Sequence, residues 1–597
     1  MTDNDSKVDI KLYKRLVAFF KPYKAELIFS ILITIIGTLT ILAPPLVFQY
    51  AIDEYIVKDT LSPEARFSGV LMMLAVYFVV LIIDFAFKFY KGYITAKLGQ
   101  RAIRDLRQTV FSHLQQLSLK WYDKNPIGRI MTRVTNDIEA LNDMFTQGVI
   151  TIAGDFFMIL GIIIVLLVLN LKMALWTFAV LPLLFVISFI FRINVRKNLL
   201  VVRSLVAKLN AFTQENLSGI HIIKLFNRQK ENFAQFKQIN KDHTESWIKN
   251  VILYSFYFPA VEIISSIAIA LIIWNASDQL IDGETSFGVV FTFIIYAQMF
   301  FRPISDLSEK YNIIQSAMAA SERIFDVLDT KADIVNKENP QIPAHFSGTI
   351  EFRNVWFSYQ SNPQSDADYV LKDVSFTVQP GEHVAIVGHT GAGKTTIINL
   401  MNRFYDIQKG EILIDGINIK DWSIEGLRSH IGMVLQDIYL FSGSVYENIG
   451  LNSEQISKDE ILAACKTVNA DQFIKRLPDG YDTKIKERGG ILSTGQKQLL
   501  SFARALVFNP DILVLDEATS SIDTETELLI QNAMTELMKD RSSIIIAHRL
   551  STIKDADQII VMHHGEIREK GSHQELLKQK GLYYKLYQIQ YRDQEVA

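Results

Sequence analysis

Cysteine is almost missing from this chain. Its 597 residues hold one, Cys465, so no internal disulfide can form. That fits a reducing compartment for the soluble portion, and the lone thiol reads as a small buried hydrophobe rather than a reactive group. An excess of positive charge is missing too. Against 61 lysines and arginines stand 64 aspartates and glutamates, a formal charge of -3. With no basic domain or tail, nucleic acid is excluded as a partner. The start, Met1 to Val8, is polar and lacks the basic-then-apolar layout of a cleaved signal peptide. Nor is there an internal repeat.

What is present divides into two unlike parts, which the mean hydropathy of +0.17 averages. Residues 1–325 are dominated by long apolar runs. Residues 345–595 alternate short strands and helices. The expected layout is a segment 1–24, a membrane domain 25–325, a linker 326–344 and a soluble α/β domain 345–597. Within the first segment, 10–24 has lysines at helical spacing among apolar residues and reads as an amphipathic helix lying along the inner membrane surface.

A bilayer core of about 30 Å needs roughly 20 apolar helical residues. Six stretches qualify: 27–50, 67–90, 145–169, 172–193, 250–275 and 287–307. The fourth contains Pro182, which a membrane helix tolerates as a kink. Connections 51–66, 170–172 and 276–286 are short, and the last carries only the acids Asp278, Asp282 and Glu284. Connections 91–144 and 194–249 are long and basic, which places them and both termini on the cytoplasmic side. Their helical periodicity breaks near Asn125–Gly128 and near Ser218–Gly219. The spans therefore continue into the cytoplasm as levers that turn and return. Asp84, Asp155 and Glu262 fall inside spans, and Arg302 falls near the end of the sixth. A charge facing lipid is costly, so these are expected to face the bundle interior or a wet, acidic path, with Arg302 marking the interface.

The soluble part carries Gly388-His-Thr-Gly-Ala-Gly-Lys-Thr395 between an apolar strand and a helix. This is the order a phosphate-binding loop requires. Gly388, Gly391 and Gly393 let the backbone curl around phosphate oxygens, and Thr390 and Thr396 flank the same cradle. Lys394 would pair with the β- and γ-phosphates of ATP, and Thr395 would take a position on Mg2+. Downstream, Asp511 to Asp516 is a second buried strand ending in two acids. Asp516 would hold the metal. Glu517 would orient or deprotonate the attacking water.

With these residues in place the sequence resembles the ATP-binding-cassette family, in its exporter type, over nearly its whole length. The resemblance implies a six-helix all-α membrane domain followed by an α/β P-loop ATPase. Leu492-Ser-Thr-Gly-Gln496 resembles the family's LSGGQ signature, so Ser493, Gly495 and Gln496 would cap the γ-phosphate held by an opposite subunit. Gln436 matches the metal-sensing Q-loop glutamine, His548 the switch histidine, Tyr359 the aromatic residue that stacks on adenine, and Asp523 the D-loop aspartate. Glu487-Arg-Gly489 resembles the segment that touches the coupling helices. One membrane half and one ATPase half imply a half-transporter that must pair. Thr494 stands where the family has glycine while Glu517 is intact, which favours a non-identical partner subunit over an identical one. The resemblance implies multidrug-type export of hydrophobic or amphipathic compounds across a bacterial inner membrane. A lipid or lipid-linked substrate is the alternative, and a peptide exporter or ATP-gated channel are weaker ones.

Overall fold

The computed structural model describes residues 10–19, 21–58, 60–341, 343, 346–486, 489–516, 524–546 and 553–590. The chain divides into two compact units. One holds residues up to 115 together with 128–330. The other holds 116–127 and everything from 331 onward.

The first unit is helical. Its helices are α1 (Ile10–Phe19), α2 (Lys24–Ala51), α3 (Pro63–Gln116), α5 (Ile127–Thr132), α6 (Ile138–Asp143), α7 (Ile150–Leu169), α8 (Leu171–Phe178), α9 (Leu181–Ser218), α10 (Ile220–Leu225), α11 (Gln229–Ile281) and α12 (Phe287–Asp329); α4 (Leu119–Lys124) belongs to the other unit. Among the described residues, five helical stretches are long and apolar enough to cross a membrane: Lys21–Ile56, Pro63–Gln116, Ile127–Leu169, Leu171–Ser218 and Gln229–Ile281. The sixth expected span opens α12, where the described apolar run is Phe287–Phe300. The 54 residues of α3 make a rod about 80 Å long, far beyond what a bilayer core needs. The helix continues well past the membrane, as the lever reading requires.

The turns fall where expected, after Lys124 and at Gly219. The fourth span is kinked as expected: α8 gives way to α9 through Ala179 and Val180, whose backbone stays right-handed helical, and Pro182 in the first turn of α9 interrupts the hydrogen bonding there while Leu171–Ser218 remains one helical stretch. One feature differs from expectation. A break at Leu117–Ser118 isolates α4.

The core at one end of the bundle gathers Leu42, Ile162, Leu166, Met173, Ile272, Phe293 and Tyr296, all buried. Two hydroxyls of α12 tie it to α2 beside Pro44–Pro45. Tyr296 donates to the Leu42 carbonyl at 2.5 Å, and Thr292 donates to the Pro45 carbonyl at 3.0 Å. Asp53 accepts from the Ser286 hydroxyl (2.6 Å) and the Gly288 amide (2.8 Å) at the start of α12, where a carboxylate also favours the helix dipole. At the other end Arg15 of α1 bridges to Asp329 at 2.6 Å and lies 4.0 Å over the Phe325 ring.

Among the described residues the second unit has twelve strands: β1 (Ile350–Phe357), β2 (Leu371–Val378), β3 (His383–Gly388), β4 (Lys409–Ile414), β5 (Ile417–Asn418), β6 (Ile431–Val434), β7 (Gly443–Ser444), β8 (Lys484–Ile485), β9 (Ile512–Asp516), β10 (Ser542–Ile546), β11 (Gln558–His563) and β12 (Glu566–Gly571). The main sheet has the order β12-β11-β3-β10-β9-β6 and is parallel except for β12. An antiparallel sheet β2-β1-β4-β5 forms a separate layer, and β7 pairs with β8. Successive β3 residues enter different cores. Val384 and Ile386 face the cluster shared with β1 and β2, while Ala385 and Val387 face the one holding Cys465, Leu499 and Phe502.

Candidate nucleotide site

In an open parallel sheet, ligands bind beyond the carboxyl ends of the strands. Three expected residues fall at that edge: Gly388 ends β3, Asp516 ends β9, and Gln436 follows β6 by two residues. The register places them side by side. Ile546 of β10 pairs with Ile386 on one side and Asp516 on the other, so the loop and the acid flank β10.

The loop bends as its glycines permit. Gly391 has φ +82° and Gly393 φ +101°, both in the left-handed region. A side chain on Gly393 would meet Leu371 at 2.6 Å, whereas one on Gly391 would meet nothing, since that corner is open. The helix Lys394–Met401 then begins, its first-turn amides aimed at the loop. Lys394 is buried, and its ammonium donates to the loop carbonyls of Gly388 (2.6 Å) and His389 (3.2 Å). Burial lowers its pKa, with the Asp516 carboxylate pulling the other way. Burial raises the pKa of Asp516 in turn. Lys394 opposes that rise and Asp437 adds to it. Both charges are thus held partly out of water, the condition under which an incoming polyphosphate and cation gain most. Thr390 and Thr395 are exposed, and Thr396 is buried.

Tyr359 stands at 40% exposure over the same helix, its hydroxyl 3.2 Å from that of Thr396. Tyr405 packs edge-on against it at 5.1 Å. Tyr405 was not among the expected site residues, because a lone tyrosine between the helix Lys394–Met401 and β4 carries no local signal.

Ser493 is the N-cap of the helix Thr494–Val507 and forms a capping box with Gln496. Ser493 Oγ accepts from the Gln496 amide (3.3 Å), and Gln496 Oε1 accepts from the Ser493 amide (3.0 Å). The Ser-x-x-Gln spacing announces this box. It leaves the amides of Thr494 and Gly495 at the open helix end, where an anion is favoured. Thr494 is exposed and Gly495 is buried. Gln436 is exposed. Glu517, Asp523, His548 and the Glu487–Arg488 pair lie outside the described residues.

The intramembrane charges separate into two kinds. Asp84 is buried and bridged to Lys88 at 2.7 Å, with Thr40 donating at 3.3 Å. Asp155 of α7 pairs with Lys310 of α12. Glu262 is exposed on α11 above a shallow depression bordered by Pro259, Ser266 and Ala270. The side chain of Arg302 lies outside the described residues.

A helical membrane unit and a P-loop ATPase unit on one chain define the class: an ATPase that works at a bilayer. The comparisons agree. The family description "ABC transporter transmembrane region" matches residues 27–304, and "ABC transporter" matches 371–520. An "Uncharacterized ABC transporter ATP-binding protein" of Bacillus subtilis is 40% identical, over 97% of this chain and 94% of its own length. A "Probable multidrug resistance ABC transporter ATP-binding/permease protein" of the same organism is 38% identical over 89% of this chain and 78% of its own. An "ATP-dependent lipid A-core flippase" of Syntrophus aciditrophicus is 37% identical over 85% and 84%. The chain belongs to the ABC transporter family. It is a membrane-embedded half-transporter of the exporter type, it hydrolyses ATP to drive transport, and it works as a dimer.

Proposed function

We propose that this chain exports hydrophobic or amphipathic compounds of the multidrug type across a bacterial cytoplasmic membrane, with its ATPase unit and both termini in the cytoplasm. The observation that carries the reading is the shared edge of β3 and β9, where a phosphate cradle and a buried acid flank one strand. Gly388, Thr390, Gly391, Gly393, Lys394 and Thr396 hold the ATP phosphates, and Tyr359 stacks on adenine. Thr395, Asp516 and Gln436 offer hydroxyl, carboxylate and amide oxygens, a hard-oxygen set that suits Mg2+ beside phosphate. Bound there, the metal neutralises charge that develops on the transferred phosphoryl group. Glu517 and His548 act on the attacking water and the γ-phosphate. Ser493, Gly495 and Gln496 complete the site of the other subunit, and Asp523 lies at that interface. ATP then joins two ATPase units, and hydrolysis parts them.

A lipid or lipid-linked substrate is the second reading, favoured by the flippase relative. For the pairing, the exposed Thr494 beside an intact Glu517 favours a non-identical partner half over a second copy. The test is magnesium-dependent ATPase activity and ATP-driven uptake of a lipophilic dye into inverted vesicles, comparing wild type with Glu517→Gln. A drop of about 100-fold or more in both is expected. Undiminished turnover in the variant sinks the assignment.

A further inference from the structure

A cleft of about 700 Å³ opens between α9, α11 and α12, within the helical unit, and among the described residues it is lined by four arginines and no carboxylate. Arg192, Arg196 and Arg203 follow one another down α9 at spacings of four and seven residues. At 3.6 residues per turn they lie within about 40° of one another, a ladder about 16 Å long. Arg323 faces them from α12. Of the four, Arg323 is already engaged, its guanidinium holding Asp137 through two hydrogen bonds of 2.9 and 2.5 Å. Arg192 lies 4.3 Å over the Tyr311 ring. Among the described residues no carboxylate comes within ion-pair distance of Arg192, Arg196 or Arg203, and all three are exposed.

The two ends of the cleft differ. Phe191 stacks on Tyr257 at 4.0 Å with the planes 11° apart, and Tyr254, Phe258 and Tyr311 complete an aromatic wall. These residues sit on the parts of α9, α11 and α12 nearest the apolar spans. Arg203 and Arg323 lie further along α9 and α12, away from the spans. A ligand that fills the cleft therefore meets rings first and guanidiniums beyond them.

Planar guanidiniums without acidic partners recognise oxyanions through paired N–H donors, and stacked rings take up apolar chain. We infer that this cleft binds an anionic amphiphile, with a phosphate- or carboxylate-type headgroup on Arg196 and Arg203 and its apolar part against Phe191 and Tyr257. The inference rests on the export reading above and narrows its substrate class. It also runs against the cationic preference that intramembrane acids suggest, since Asp84 and Asp155 already hold lysines.

The experiment uses the full chain, purified in mild detergent in the assembly it forms, and nitrobenzoxadiazole-labelled phosphatidic acid. Fluorescence anisotropy is expected to show saturable binding that weakens at least 10-fold in the Arg196→Ala/Arg203→Ala double variant and recovers only in part in the double lysine variant, which keeps the charge and loses the paired donors. Labelled phosphatidylcholine should bind at least 10-fold more weakly than the acid. Inorganic phosphate at about 10 mM, enough to fill a site of millimolar affinity, separates the two sources of oxyanion. No displacement assigns the cleft to an amphiphile, and full displacement assigns it to a free anion and overturns the apolar half of the inference. Equal binding of the two lipids, or unchanged affinity in the alanine variant, overturns it entirely. Basal ATPase activity is read on the same samples. Turnover that persists and still depends on Glu517, together with failed lipid binding, defeats this inference alone and leaves the export reading standing.

Discussion

Tyr405 donates a 2.5 Å hydrogen bond to Asp123 and sets its ring edge-on against Tyr359, 5.1 Å away. Asp123 belongs to α4, the short helix between the break at Leu117–Ser118 and the turn at Asn125, and α4 packs as part of the ATPase unit. Ser118 and Lys120 line a small cleft with Tyr359 and Tyr405. Within the ATPase unit a contact path thus runs from α4 through Tyr405 to Tyr359 and on to Thr396 at the phosphate loop. Burial and the Asp123 carboxylate both raise the pKa of the Tyr405 phenol, so it stays a donor at every physiological pH.

Tyr405→Phe removes that donor and keeps the ring. Loss of one hydrogen bond to a carboxylate is expected to cost about 1.5–3 kcal/mol in stability. Basal ATPase activity should stay within about 3-fold of wild type, a change of under roughly 1 kcal/mol. Stimulation by transported substrate should fall, because α4 loses its polar tie to Tyr405 within the ATPase unit. Parallel melting curves and ATPase titrations check this, and a variant stimulated as fully as wild type would refute the path.

Asp516→Asn separates stability from turnover at a single position. Burial raises the Asp516 pKa, so the nucleotide-free fold favours the neutral acid. A folded pKa above the unfolded value adds stability that is complete below about pH 4 and is lost as pH rises through the folded value. At neutral pH the charged carboxylate therefore weighs against the fold, and the neutral amide relieves it. Nucleotide-free Asp516→Asn is expected to melt slightly higher than wild type at pH 7, while magnesium-dependent hydrolysis falls by about 100-fold or more.

Cys465 gives a single-thiol readout of the ATPase core. It is wholly buried, and burial pushes its pKa up to about 12. Its stability contribution is full below the ordinary thiol value and falls as pH rises toward the folded one. Between about pH 9 and 11 wild type should lose stability faster than Cys465→Ala, by on the order of 1 kcal/mol per pH unit. At neutral pH a maleimide should leave the native thiol untouched and label it only as the unit unfolds. Fast labelling of native protein would contradict the packing.

What the sequence made legible was whatever a short window decides. The phosphate loop is local, so its glycines and Lys394 declared strand, turn and helix together. The spans announced themselves by length alone. Less visible was anything that depends on two distant segments meeting. Arg196 and Arg203 fall within the basic connection 194–249 and Arg192 at the end of the span 172–193, and nothing in the sequence sets them apart until α12 brings Arg323 and Tyr311 opposite them. Asp155 read as an acid awaiting water or a partner, and Lys310, 155 residues away in sequence, supplied the partner. The α4 helix read as part of a returning lever, and only packing assigns it to the ATPase unit. Pro182 was legible as a kink, because its missing N–H and its ring act on the turn just before it.

The Asp155–Lys310 pair yields a further expectation. Lys310 is 12% and Asp155 24% exposed at the side chain, and Lys91 is a further electrostatic neighbour of both, so removing Asp155 strands lysine charge among apolar helices while removing Lys310 leaves Asp155 with Lys91. Asp155→Ala should cost about 3 kcal/mol, Lys310→Ala should cost less, and Asp155→Ala/Lys310→Ala should recover part of the larger loss. Thermal denaturation in detergent measures the coupling. Additive losses would mean that the two charges do not support one another.

The pairing of the half-transporter can be read from Ser493. Its hydroxyl caps the helix Thr494–Val507, so Ser493→Ala should cost about 1 kcal/mol of stability whatever its partner. Thr494 needs no left-handed backbone and is exposed, so the threonine there is a change of surface, not of fold. In a pair of identical halves each site needs both Glu517 and a Ser493, and the two variants should be equally damaging. In a pair of non-identical halves this chain's signature serves the partner's weaker site. There Glu517→Gln should lower turnover about 100-fold, while Ser493→Ala lowers it less than about 3-fold. We expect the unequal result. Steady-state ATPase rates of the two variants, each co-expressed with the candidate neighbouring half, decide it, and equal losses would make the transporter a dimer of one chain.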